Sequence, residues 1–451
     1  MSDVRRQLPS VNALLETAGV RALLERSPRA LVLNAVRDAV QQVRSGAATP
    51  DSTDAWCDEI SQRVELAERP SLRVVINATG IVLHTNLGRA PLARVAIDAM
   101  TAAASGYCNI EYDLDAGARG SRYAHCASLL RELTGAGDAL VVNNGAAALV
   151  LALNTMASGR EAILSRGELV EIGGSFRVHE IMAKSGALLR EVGATNRTHV
   201  ADYERALGTD TALILKVHRS NFAIEGFVSE ATVGALAPLA AAHNLPIVHD
   251  LGSGLLISLD GLGLRGEPTA TEALSAGASI VVMSGDKLLG GPQSGIILGD
   301  GTLIAQMRAN PLARSYRVDK LTLAALETTL ALYRDPARAM REIPTLAMLA
   351  ASPAHIRARC ERAHGMLAAR GITTDMVESV STVGAGAFPL AELPSSALAL
   401  GGSADAMARK LRGGEPAVVG RVNEGRLLLD LRAVPDDQLD ALVNAVVAAH
   451  A

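Results

Sequence analysis

From residue 11 to about 69 the apolar positions recur at helical spacing. In "SPRALVLNAVRDAVQQVRSG" the residues Leu33, Val36, Val40 and Val43 fall on one face, and Ser27 followed by Pro28 reads as an N-cap and first helical position. Trp56, Ile60 and Val64 repeat the stripe, and the intervening "SGAATPDSTD" has the composition of a linker. After Pro70 the texture changes. "DALVVNN", "EAILS", "TALILKVH", "LPIVHDLG", "ASIVVMSGD" and "SGIILGD" are short runs, apolar throughout, that alternate with helical stretches. Strands buried on both faces of a parallel sheet look like this, so an α/β core is expected. From about residue 326 the pattern is helical again, and "STVGAGAFPLAELP" and "PAVVGRVNEGRLLLDL" outline a smaller α+β domain. The expected organisation is a helical N-terminal domain over 1–65, an α/β core over 66–325 and a C-terminal α+β domain over 326–451.

Composition narrows the setting. The chain has 451 residues, 49% hydrophobic and 20% charged, which is ordinary for a globular protein of this length. A net charge of -4 excludes a globally basic nucleic-acid binder, although the first 44 residues hold seven arginines against four acidic groups. Aromatic residues, at 2%, leave little for base stacking. Cys57, Cys108, Cys126 and Cys360 lie far apart and form no CxxC, so they are expected to be reduced core thiols, with neither a disulfide framework nor a metal site. Arg5 and Arg6 precede polar residues, and no long apolar run follows anywhere, so neither a signal peptide nor a membrane span is expected and the setting is cytoplasmic.

The candidate chemistry lies in "SGDKLLGGPQSG". Lys287 is one of five lysines among 38 arginines, on a glycine-rich turn at the carboxyl end of a strand, where open α/β sheets place ligands. An amine, unlike a guanidinium, can lose its proton and attack a carbonyl. Upstream, "LPIVHD" ends in Asp250, again at a strand's carboxyl end. A carbonyl-reactive lysine and a carboxylate for a pyridinium nitrogen are what pyridoxal 5′-phosphate requires. A phosphate cradle is the third requirement, and "VVNNGAAALVLAL" offers one: a strand, Asn143, Asn144 and Gly145, then a helix start at Ala146 and Ala147 whose N–H groups face a dianion. Singly, each feature is an ordinary turn or cap residue. Ser284 with Lys287 also spells S-x-x-K, but no SDN or KTG element follows it. Their joint order on successive strand ends points to a pyridoxal phosphate enzyme of fold type I, the aspartate-aminotransferase-like architecture.

Further stretches, "LPSVNALLE", "INATGIVLHTNLGRAPL", "YDLDAGARGSRYAH", "SRGELVEIGGSFR", "LKVHRSNFAIEGF", "NPLARSYRVDKLTLAALE" and "GRLLLDLR", run nearly end to end. With the lysine loop, the chain resembles the bacterial selenocysteine synthases, the L-seryl-tRNA(Sec) selenium transferases. That resemblance implies that Lys287 carries the cofactor, that the N-terminal domain grips seryl-tRNA(Sec), and that the enzyme is a homo-oligomer, a decamer built of dimers. It implies loss of the seryl hydroxyl to a dehydroalanyl ester and addition of selenium from selenophosphate. Arg89, Arg314 and Arg317 match positions that line the family's site and suit a phosphate-bearing donor. Asp286 would orient these arginines or relay a proton, and Ser284 would add a hydroxyl to the cofactor phosphate. Fold relatives that act on free amino acids spend a C-terminal-domain arginine on the α-carboxylate. Arg421 or Arg426 stands where such a clamp would be, but in an aminoacyl ester none is needed. The alternative expectation is a pyridoxal phosphate lyase or ammonia lyase acting on a small amino acid or amino-sugar acid.

Overall fold

The computed structural model describes residues 8–172 and 176–450; the stretch 173–175 within "SRGELVEIGGSFR" and the pair Arg5–Arg6 lie outside it. The chain forms two compact units, 1–74 and 75–451.

The N-terminal unit consists of helices Val11–Leu15, Ala18–Arg26, Arg29–Arg44 and Thr53–Glu68. Val20, Leu23, Val32, Val36, Val40, Trp56, Ile60 and Val64 form its core. The buried stripe of the third helix is centred on Val32, Val36 and Val40, with Leu33 and Val43 at its half-buried edges. Ser27 does not cap this helix. Its N–H closes the preceding one, donating to the Leu23 carbonyl at 2.8 Å, because the two helices abut with only Ser27 and Pro28 between them. The last helix runs through the expected boundary at residue 65.

The second unit is built on a seven-stranded sheet in the order Asp138–Val142, Gly295–Gly299, Ile280–Ser284, Ile247–Gly252, Thr211–Val217, Glu161–Ser165, Leu188–Val192. All neighbours are parallel except Gly295–Gly299, which pairs antiparallel on both sides. Thr211–Val217 is buried at every position, and its single charge, Lys216, is paired with Glu168. The edge strand Leu188–Val192 carries Arg190 and Glu191 and is mostly exposed, so its sequence shows no such run. A six-stranded sheet joins Val75–Ala78, Ala417–Asn423, Arg426–Asp430, Leu393–Leu400, Thr374–Gly384 and Ile81–Leu83. Residues 75–83 were expected with the core, but they pair with C-terminal strands, Val75 with Ala417 and Ile81 with Thr382. The helix Lys320–Leu332 passes without interruption through the expected boundary at 325.

The four cysteines divide. Cys126 and Cys360 are buried, and desolvation pushes each thiol up to about 12. Cys108, by contrast, is exposed on the loop after helix Arg94–Ala104, and Cys57 is half-buried. Among the described residues no helix is long and apolar enough to cross a membrane.

Candidate active site

The turn after Ile280–Ser284 is held by its own backbone: Leu288 N donates to Ser253 O and Gly291 N to Gly285 O, both at 2.9 Å. It buries Lys287, which is 5% exposed. Burial lowers the pKa of this amine, the Arg89 guanidinium lowers it further, and Asp250, Asp286 and Glu267 oppose both effects. Asp250 lies near the carboxyl end of the neighbouring strand Ile247–Gly252, in register with Val282. Desolvation pushes its carboxyl up to about 6 against the pull of Lys287, of the Gly252 N–H and of His218. Between the two groups lies Gly252, at φ +68. A Cβ there would stand 3.8 Å from Lys287 Nζ and 4.0 Å from Asp250 Oδ1, in the gap between amine and carboxylate. Glycine is favoured here by the left-handed backbone, since a Cβ at those distances would make only ordinary contacts.

Helix Gly145–Ala157 points its N-terminus at the same region. Asn144 is its N-cap, with Oδ1 accepting from Ala147 N at 2.8 Å. The N–H groups of Gly145 and Ala146 belong to the first turn, where no intrahelical acceptor is available. Ser284 closes on them, its Oγ only 2.6 Å from where a Cβ on Gly145 would sit. Ser284, Gly145 and Ala146 therefore form one polar cup, while Asn144 shapes it from behind.

Arg89 and Asp286 meet across 197 residues of sequence in an ion pair of 2.9 Å from Nη1 to Oδ2. Ala90 N donates to Asp286 O at 3.3 Å. Arg89 has φ +63 directly after Gly88 at φ +90, so the turn spends a left-handed non-glycine residue to aim this side chain. Arg317 reaches the cup through its backbone. It bridges Val142, and Asn143 N donates to Tyr316 O at 2.8 Å, while the guanidinium lies 3.8 Å from Glu111. Arg314 is exposed on helix Pro311–Ser315.

The C-terminal arginines are otherwise engaged. Arg421 donates to Val380 O at 2.9 Å and to Ser379 Oγ at 2.6 Å, within its own sheet. Arg426 is exposed at the start of its strand, and Arg432 is buried, donating to the carbonyls of Met348, Ala351 and Pro394. The two residues considered for a carboxylate clamp are thus either spent or at the surface.

Two groups escaped sequence reading. His218 N donates to Asp250 O at 2.9 Å, and His218 Nε2 lies 3.2 Å from Glu267 Oε2. His218 follows the strand Thr211–Val217, so the rule that pointed to Asp250 and Lys287 applied to it as well. Glu267 sits in a loop with no periodic or motif signal, and only the fold brings it here.

Comparison with known proteins bears on this site. Residues 75–435 match the family model for L-seryl-tRNA selenium transferase, and residues 5–44 match that for the selenocysteine synthase N terminus. Among curated proteins, the L-seryl-tRNA(Sec) selenium transferases of Solidesulfovibrio magneticus and Moorella thermoacetica are 49% and 48% identical, over 99% of this chain and 98% and 97% of theirs. That of Geobacter metallireducens is 47% identical over 98% of both chains. Among solved structures, a D-glucosaminate-6-phosphate ammonia-lyase superposes with a TM-score of 0.60 at 22% identity, over 84% of this chain and 97% of that one, a likeness that reaches the fold alone. The architecture is fold type I.

Proposed function

The chain belongs to the L-seryl-tRNA selenium transferase family, and from that premise we propose that it converts L-seryl-tRNA(Sec) to L-selenocysteinyl-tRNA(Sec), using pyridoxal 5′-phosphate as cofactor and selenophosphate as selenium donor. The observation that carries this reading is the Lys287 amine, buried and biased toward its neutral form, with the buried Asp250 carboxyl close enough to act on its charge. The lyase alternative rests on a likeness of 22% identity, which concerns the fold.

The residues present fit the cofactor. Lys287 Nζ and Asp250 Oδ1 both lie within 4.0 Å of the Cβ position at Gly252, and Gly145 leaves the Ser284 hydroxyl room to approach the helix N-terminus. Lys287 would bear the coenzyme, Asp250 would face its ring nitrogen, and Ser284, Gly145 and Ala146 would hold its phosphate, with Asn144 fixing the helix end. When bound, the coenzyme withdraws electrons from the substrate Cα. Lys287 Nζ, neutral, removes the Cα proton and later returns it. Asp286 fixes Arg89, and Arg89 in turn disfavours protonation of Lys287. Arg89, Arg314 and Arg317 supply forked donors for the oxygens of the selenium donor. With no free arginine clamp in the C-terminal sheet, an ester is accommodated as readily as a carboxylate. The helical unit then carries the recognition of the tRNA, and the protein works as a homo-oligomer built of dimers. Purified protein incubated with seryl-tRNA(Sec), the cofactor and selenophosphate should yield selenocysteinyl-tRNA; recovery of unchanged seryl-tRNA, or of deaminated product, would reject the assignment.

A further inference from the structure

Beside the Lys287 site, at the carboxyl end of Thr211–Val217, lies a cleft of about 410 Å³. Its walls are the segment 218–224, the loop 263–267 and the turn 388–391 from the C-terminal sheet domain. This volume is within the range of about 300–1,000 Å³ typical of small-ligand sites. Two of its lining residues, His218 and Glu267, border the site already described. His218 lines the cleft and is bonded through its backbone to Asp250, while Glu267 lines it too and is close enough for its charge to act on Lys287.

The lining is unusual for this chain. Of only four phenylalanines in 451 residues, Phe222 and Phe388 are both here. Phe222 is 37% exposed, which leaves its ring available, whereas Phe388 is buried and fixed by its N–H, which donates to Glu267 Oε1 at 3.0 Å. At the mouth Arg265 is exposed and has no ion-pair partner among the described residues. Glu230, a carboxylate that would repel an anion, is neutralised by Lys216 at 3.4 Å and Arg219 at 2.8 Å. A cleft of mixed polar and apolar lining that offers one accessible aromatic ring and one uncommitted cation suits a nucleoside joined to a phosphodiester.

Resting on the aminoacyl-tRNA reading above, we propose that this cleft receives the 3′-terminal adenosine of the substrate tRNA, its base against Phe222 and its phosphate at Arg265. The stereochemistry demands a pocket next to the Lys287 site. With the seryl Cα at Lys287, the ester oxygen is two bonds away and the ribose follows directly, so the terminal nucleoside must occupy space contiguous with the active site.

Fluorescence anisotropy on the full-length holoenzyme tests this, with 5′-labelled tRNA(Sec) transcripts ending in CCA or lacking the final adenosine. For the wild type, removing the adenosine should weaken binding about tenfold. Phe222→Ala and Arg265→Ala should each weaken binding of the CCA transcript several-fold or more and leave the truncated transcript unchanged, and Phe222→Tyr should retain wild-type affinity. The cofactor absorbance of all three variants should equal that of the wild type. Equal binding of the two transcripts by the wild type, or losses in the variants that are the same for both transcripts, would overturn the proposal. Failure of the wild type to bind either transcript would instead reject the functional reading on which it rests.

Discussion

Replacing Gly145 by alanine puts the phosphate cup to the test. The new Cβ would stand 2.6 Å from Ser284 Oγ, against 3.4–4 Å for ordinary contact, whereas Ser284 Cβ and Cα, at 3.8 and 4.0 Å, already have room. Only the hydroxyl has to move. Turning it away costs on the order of 0.5–1.5 kcal/mol if the side chain leaves its preferred rotamer. Alanine in place of glycine returns up to about 1 kcal/mol of helix propensity. The two nearly cancel, so the melting temperature of the cofactor-free protein should change little. Cofactor binding should not escape, because a hydrogen bond to a charged phosphate contributes roughly 1.5–3 kcal/mol, or about 10- to 150-fold in affinity. Ser284→Ala removes the same hydroxyl and should cost the same. The double variant Gly145→Ala/Ser284→Ala should therefore be no worse than either single one, a non-additivity measurable by absorbance titration of the coenzyme. Fully additive losses, or wild-type affinity in Gly145→Ala, would show that the hydroxyl and the helix end do not share one ligand.

Other outcomes follow from the same geometry. Lys287→Ala should abolish the borohydride-reducible link to the coenzyme and cut turnover by at least about 10²–10⁴-fold, checked by mass spectrometry of the reduced protein and by product assay. Arg314→Ala and Arg317→Ala should raise the KM for selenophosphate while leaving seryl-tRNA binding unchanged; equal effects on both substrates would remove these residues from the donor site. Asp250 gives a pH test. Its folded-state carboxyl is raised to about 6, so between about pH 4 and 6 the folded protein binds more protons than the unfolded chain, and this group makes stability fall as pH rises through that window. In the cofactor-free protein Asp250→Asn should flatten that slope and be more stable than wild type at pH 7 by urea denaturation, yet be much less active with cofactor. Deleting residues 1–74, a compact unit in its own right, should abolish tRNA binding and preserve the cofactor spectrum.

What was legible in the sequence is what depends on short-range pattern. Six of the seven core strands stand out as apolar runs because burial on both faces leaves few polar positions, and Lys287, Asp250 and Asn144–Gly145 were singled out because each sits where such a run stops. Leu188–Val192 was missed because an edge strand keeps charged side chains. The motif matches identified the family's arginines without giving their distances. The residues of the candidate site were therefore legible, while their arrangement was not.

The sequence by itself determined the alternation of elements, the residue types available at strand ends, and the family. Only the tertiary structure decided which ends meet. Arg89 pairs with Asp286 from 197 residues away, residues 75–83 leave the core for the C-terminal sheet, and Gly295–Gly299 runs antiparallel within an otherwise parallel sheet. The physical reason is common to all three. Helical and strand periodicity are local properties of a dozen residues, but pairing partners and direction are fixed by the burial of whole faces against one another, which no local window contains. Glu267 shows the limit most plainly: a loop carboxylate without any local pattern, it touches the functional site only because the folded chain brings His218 and Phe388 to it.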